Sequence, residues 1–195
     1  MNLLSNLFKR SSLRSSLQLA ILLVVSAGSV NAQHYYRSQA RPLAEIKQTF
    51  PYDIELLARA GSGDTLVTTS TEVLGQHRGE RPVVMLFWLT TCGPCRLELA
   101  DLEQRMARWQ QAYDFAFVPI SIDFPKRRGA FHERAAAYPW TSYLDVNREF
   151  PLVMPGKLNG VPQLFVFDDE GEQVFYRRKY RTGDLEALEE VLGRL

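Results

Sequence analysis

Seven apolar residues in a row, Val83 to Leu89 (VVMLFWL), are followed by a change of hydrophobic period. The run begins β-branched and lies between Pro82 and the Gly93-Pro94 turn. That pattern predicts a strand buried on both faces, as in a parallel sheet. From Gly93 onward, Leu99, Leu102, Met106 and Trp109 recur at helical spacing. Glu98, Asp101, Arg105 and Arg108 take the opposite, polar side, so the segment reads as an amphipathic helix. Asp114 to Asp123 (DFAFVPISID) predicts a second buried strand, and Gly129 to Tyr138, with its alanines, a second helix. TSYLD reads as a short extended piece, and 147–160 as irregular, with Pro151, Pro155, Gly156 and Gly160. Gln163–Phe167 and Glu172–Arg178 flank the turn Asp168 to Gly171 as a β-hairpin. A last helix opens at Thr182-Gly183-Asp184, with Leu185, Leu188, Val191, Leu192 and Leu195 as its apolar face.

Upstream of this block, YDIELLARAGSGDTLVTT predicts two short strands around the turn Gly61 to Asp64. Ser70 to Leu74 starts a brief helix or turn. The order is then an N-terminal hairpin, a parallel strand–helix–strand crossover, and an antiparallel hairpin closed by a helix. One mixed α/β sheet with helices on both faces follows.

The first 50 residues differ in character. Met1 to Ser16 carries Lys9, Arg10 and Arg14 and no acid, and leads into the apolar run Leu17 to Ala27. Val30 and Ala32 stand as the small residues of a cleavage site. This is the pattern of a secretory signal peptide, residues 1–32, cleaved after Ala32. The competing reading is an uncleaved anchor, but the run is well short of the roughly 20 residues of a membrane span. A leader, 33–50, precedes a domain at 51–195. The whole chain is +1, and removing a head with three cations and no acid leaves −2. No basic face suggests a nucleic-acid partner. The runs Lys126 to Arg128 and Tyr176 to Arg181 read as solvated surface.

Export changes the meaning of the two cysteines, Cys92 and Cys95, because disulfides persist outside the cytosol. Three uses are open: a structural staple, a metal clip or a redox pair. A staple closing so short a loop restricts the unfolded chain little. A structural zinc site wants four ligands, and His34, His77 and His132 lack ligand spacing. For redox work the position is favourable. Cys92 lies where a buried strand gives way to a helix, whose N-terminus carries partial positive charge and unpaired N–H groups. Such an environment lowers a thiol pKa to about 3.5–7.5. Cys92 is the candidate nucleophile. Cys95, about one turn into the helix, is the candidate resolving thiol. Pro94 is tolerated in the first turn, and Gly93 leaves room for a partner chain.

CGPC between strand and helix, with Gly160-Val161-Pro162 before a hairpin strand, resembles the thioredoxin fold. With the signal peptide, VVMLFWLTTCGPCRLEL, FVPISID and GVPQLFVFDDEGEQV, the chain is most similar to the exported TlpA/ResA-type thiol–disulfide oxidoreductases. The resemblance covers roughly residues 52–195. It implies a cis Val161–Pro162 bond beside the cysteines, with the Val161 backbone offering a strand-like edge to a substrate peptide. Three departures stand out. Thr91 replaces the tryptophan usual before the first cysteine, which changes the substrate rim. Ala100 stands where the family's helix commonly has a kinking proline. Leu86 stands where thioredoxin buries an aspartate, so proton handling at Cys95 falls to water or another acid. Glu98 matches an acid often found in the exported branch and is a candidate proton relay, although the helical stripe puts it on the polar side.

The resemblance thus implies an extracytoplasmic protein-disulfide reductase, periplasmic or in another exported space, with cytochrome c maturation as one setting. Its redox group would be the Cys92–Cys95 disulfide itself, without an organic cofactor or metal. Its partners would be protein disulfides and a membrane electron donor. The alternatives are a disulfide oxidase or isomerase, a peroxide-reducing enzyme of the same fold, and a non-catalytic thiol metallochaperone.

Overall fold

β3 (Val83–Trp88) is buried at every position, as a strand covered on both faces must be. The computed structural model describes residues 54–195, except 62, 64 and 155–157. The expected signal peptide, leader and Ala32 cleavage point lie outside the described residues. β3 is the strand from which the sheet is built. It pairs in parallel with β4 (Ala116–Ser121) and antiparallel with β6 (Gln163–Phe167). β4 pairs in parallel with β5 (Thr141–Asp145), and β6 antiparallel with β7 (Gln173–Arg178). The N-terminal hairpin of β1 (Glu55–Ala60) and β2 (Thr65–Thr69) joins through an antiparallel β1–β5 ladder. The result is one seven-stranded mixed sheet, ordered β2-β1-β5-β4-β3-β6-β7.

Alternation along β3 divides the core. Val84, Leu86 and Trp88 face one layer, with α2 (Gly93–Ala112), α3 (Arg128–Ala135) and α5 (Asp184–Leu192). Val83, Met85 and Phe87 face the other, with Val73 of α1 (Ser70–Gly75) and Phe150 of α4 (Phe150–Val153). Helices therefore cover both faces of a mixed sheet, the thioredoxin-like α/β arrangement with an N-terminal hairpin extension.

Local chemistry sets the helix ends. Thr69 and Glu72 form a reciprocal capping box that starts α1. α2 begins with Gly93 and Pro94, whose missing N–H falls where no intrahelical partner exists, and runs unbroken for 20 residues. Residues 147–160 are not wholly irregular. The buried Asp145 carboxylate accepts from the N–H groups of Glu149 (3.0 Å) and Phe150 (2.9 Å) and starts the single turn of α4. The cap lies four and five residues upstream, where the sequence pattern did not point. Leu195 is 50% exposed, so the apolar face of α5 ends at Leu192.

Phe87 is completely buried, with the rings of Phe150 and Phe165 centred 5.2 and 5.9 Å away. Phe87→Ala removes both contacts and leaves a cavity. It should cost about 3–5 kcal/mol of stability, read as a lower denaturant midpoint at unchanged slope.

Candidate active site

The turn from β3 into α2 carries the cysteines. Trp88 ends the strand wholly buried, and four residues later the chain reaches Cys92 at the N-cap of α2. Cys92 and Cys95 are joined in a disulfide, with Cα atoms 5.2 Å apart. Cys92 Sγ accepts from the Cys95 N–H at 3.1 Å, the bond an N-cap side chain makes. The first turn of α2 holds no acidic residue, so no carboxylate within that turn opposes negative charge on the sulfur. The two sulfurs differ in access. Cys92 is partly exposed, whereas Cys95 is completely buried against the α2 core. Thr91 and Pro94 are exposed, and a Cβ on Gly93 would meet no atom within 4 Å.

The loop before β6 faces this turn. The Val161–Pro162 peptide bond is cis, as the resemblance implied. The Val161 carbonyl lies 3.6 Å from Cys92 Sγ. In the disulfide this is a contact, because that sulfur carries no proton; the reduced thiol can donate there. The loop is held from behind by side chains the sequence reading did not single out. Gln163 Nε2 donates to the Gly160 carbonyl at 2.7 Å, and Tyr176 Oη donates to Gln163 Oε1 at 3.0 Å. Arg178 donates to the Asn159 carbonyl.

A second tether, also unforeseen, secures the cysteine turn. The Asp123 carboxylate, 1% exposed, accepts from the Thr90 N–H (2.8 Å), the Thr90 hydroxyl (2.9 Å) and the Ser121 hydroxyl (2.7 Å). The end of β4 thereby pins the chain two residues before Cys92. A polar Asp at the end of an apolar strand was visible in the sequence; its partner 33 residues away was not.

Glu98 is not on the polar side of α2. It is completely buried, and its carboxylate is paired with Arg177 of β7. The buried positions Cys95, Glu98, Leu99, Leu102, Met106 and Trp109 form one stripe. Stepping back four residues from Leu102 reaches Glu98, so the helical period contained the answer and the residue's charge masked it. Arg177 is likewise no solvated member of its basic run. It follows Phe175 by two on β7, and that alternation turns it toward α2. Burial pushes the Glu98 carboxyl up to about 7; Arg177 opposes the rise, while Asp184 and Asp101 add to it. Leu86, where thioredoxin has its aspartate, is apolar and buried; the acid on this side of the sheet comes from the helix instead. Among the described residues, the one group of three side chains close enough to share a cation is Asp168, Asp169 and Glu170, and it includes neither cysteine.

A family model described as the AhpC/TSA family matches residues 55–174. Among curated proteins none matches by sequence. A thioredoxin-like protein of Porphyromonas gingivalis shares 23% identity at a TM-score of 0.55, over 73% of this chain and 91% of its own. A thiol:disulfide interchange protein of Chlorobium tepidum shares 19% at 0.51, over 79% and 98%. The mitochondrial 2-Cys peroxiredoxin of Plasmodium falciparum shares 11% at 0.55, over 73% and 89%. At these identities the likeness is one of fold.

Two outcomes are expected. Asp123→Ala strands three donors and should cost about 1.5–3 kcal/mol, measured by denaturant unfolding of the oxidised protein. The Glu98 carboxyl ionises from 4.5 in the unfolded chain but only near 7 in the folded one. Between those values the folded protein holds the extra proton, so this group's contribution to stability is lost as pH rises through the window. Glu98→Gln should remove that part of the fall, seen by comparing denaturant midpoints across it.

Proposed function

This chain belongs to the AhpC/TSA family, and from that premise we propose an exported thiol–disulfide oxidoreductase that reduces protein disulfides through Cys92 and Cys95. The observation that carries the reading is the asymmetry of the pair. An accessible sulfur caps a helix, and a buried sulfur stands one turn behind it. In the reduced enzyme the helix N-terminus and the Cys95 N–H stabilise a Cys92 thiolate. That thiolate attacks one sulfur of a substrate disulfide. A Cys92–substrate bond forms, and the other substrate sulfur leaves as thiolate and is protonated. Cys95 loses its proton, with Glu98 as the acceptor, and its thiolate attacks the Cys92 sulfur. The Cys92–Cys95 bond forms, and the second substrate sulfur departs with a proton. Two electrons pass to the substrate, and a donor dithiol must return two to the enzyme.

The surroundings support the same reading. The Val161 backbone, 3.6 Å from Cys92 Sγ, offers an edge along which an extended peptide can add as a strand. Thr91, Gly93 and Pro94 form the rest of the rim, lower than one built on tryptophan. The hydrophobic run beyond the basic head supports export and action in the periplasm or another extracytoplasmic space. Re-reduction by a membrane electron donor and a part in cytochrome c maturation follow from the TlpA/ResA resemblance. Peroxide reduction is the second reading, favoured by the family match and by the fold shared with a 2-Cys peroxiredoxin.

The deciding measurement is the reduction potential of the Cys92–Cys95 pair. A value near thioredoxin's, about −270 mV, is expected; one toward about −120 mV would make the protein an oxidase or isomerase. Cys95→Ala should accumulate mixed disulfides through Cys92, resolved on non-reducing gels, and Cys92→Ala should not. Rapid consumption of hydrogen peroxide without exchange on protein disulfides would install the second reading.

A further inference from the structure

Glu98 has its partner on a different part of the chain from the cysteines. It follows Cys95 by three residues, so the two share one face of α2, and both are completely buried. Arg177, at the far end of β7, reaches it across the sheet. In the β6–β7 register Arg177 stands opposite Leu164, which stands opposite Leu86 in β3. The guanidinium thus sits in the row where the sheet side of the site is otherwise apolar.

Its place is held by its own neighbours. Arg177 Nη1 donates to the Lys179 carbonyl and lies 3.6 Å from Asp184 Oδ2, at the start of α5. The Tyr180 ring centre is 5.2 Å from Arg177 Cζ, and Tyr180 Oη donates to Asp101 on α2. The charged groups acting on Glu98 are Arg177 from β7, Asp184 from α5 and Asp101 from its own helix, with Tyr180 of the following loop beside Arg177, and Cys95 stands one turn back on α2. Among the described residues, Arg177 is its one ion-pair partner. The pairing uses Oε1 alone; among the described residues the buried Oε2 has no hydrogen-bond partner. A buried carboxylate oxygen in that state is costly unless a proton comes to it. Reduction of the disulfide creates such a proton, on the Cys95 thiol one turn away.

We propose that Arg177 is a positioning residue of the redox site. It binds Oε1, leaves Oε2 free for the Cys95 proton, and keeps the carboxyl ionised enough to accept it. The junction of β7 and α5, remote in sequence from the CGPC turn, would in this way set the acidity at which Cys95 resolves a mixed disulfide. The inference deepens the oxidoreductase reading and rests on it for the use to which the proton is put.

The test follows two titrations that need no substrate. The first is the Glu98 carboxyl, by carbon NMR on oxidised protein. The second is the Cys95 thiolate, by ultraviolet absorbance in a Cys92→Ala background. Arg177→Met should raise the Glu98 midpoint by roughly one pH unit or more, the effect of losing an adjacent cation. It should also move the Cys95 titration, and that movement should fall to less than half when Glu98→Gln is added. Arg177→Lys restores the charge and should return the Glu98 midpoint most of the way; Arg177→Gln is the cation-free variant to use if the methionine one does not fold. A Glu98 midpoint unmoved by loss of the cation, or a Cys95 movement equal with and without Glu98, would overturn the proposal. Loss of disulfide exchange in the wild type with both titrations behaving as described would sink the oxidoreductase reading and leave the role of Arg177 standing.

Discussion

The structure hangs on β3. It is hydrogen-bonded on both sides, buried on both faces, and aimed so that its last residue delivers the chain to the head of α2. A strand so placed has no freedom to shift, since a slip of one residue would exchange its two core faces. The three residues after Trp88 are therefore launched from a fixed point. The position of Cys92 follows from that strand and from the helix that begins there.

A fixed strand places the chain but does not align it. Alignment comes from polar groups the core can hold only because they are paired. Asp123 gathers the Thr90 amide and hydroxyl and the Ser121 hydroxyl, and Gln163 with Tyr176 secures the carbonyl of Gly160. Each pairing joins the cysteine turn or the cis-proline loop to a neighbouring strand. The two tethers act from opposite sides of β3, one through β4 and one through β6 and β7. The Val161 carbonyl and Cys92 Sγ meet where the two secured segments converge.

The electrostatics are built on different elements from the geometry. The helix N-terminus favours charge on Cys92, which is exposed enough to use it. Cys95 lies in an apolar layer that favours the neutral thiol. An acid in the sheet at position 86 would have been one answer to that difficulty. Here Leu86 leaves that position apolar, and the acid descends from α2 with its counter-ion supplied by β7.

Much of this protein was legible in the order of its residues. Unbroken apolar runs in β3 and β4, period 3.6 in α2 and α5, and the turn residues between β6 and β7 named the elements, because each reflects a local preference repeated many times. CGPC between strand and helix and Gly160-Val161-Pro162 before β6 marked both halves of the candidate site. What escaped were the residues whose meaning depends on a partner far along the chain. Glu98, a candidate proton relay, read as lying on the polar side because a carboxylate usually does, and only the approach of Arg177, 79 positions later, makes its burial tolerable. Asp123 and Asp145 read as ordinary strand ends until the amides they accept from were brought beside them. Periodicity reports which way a side chain points relative to its own element. Only the tertiary structure decides what it meets there, since a buried charge is permitted or forbidden by the single group placed opposite it.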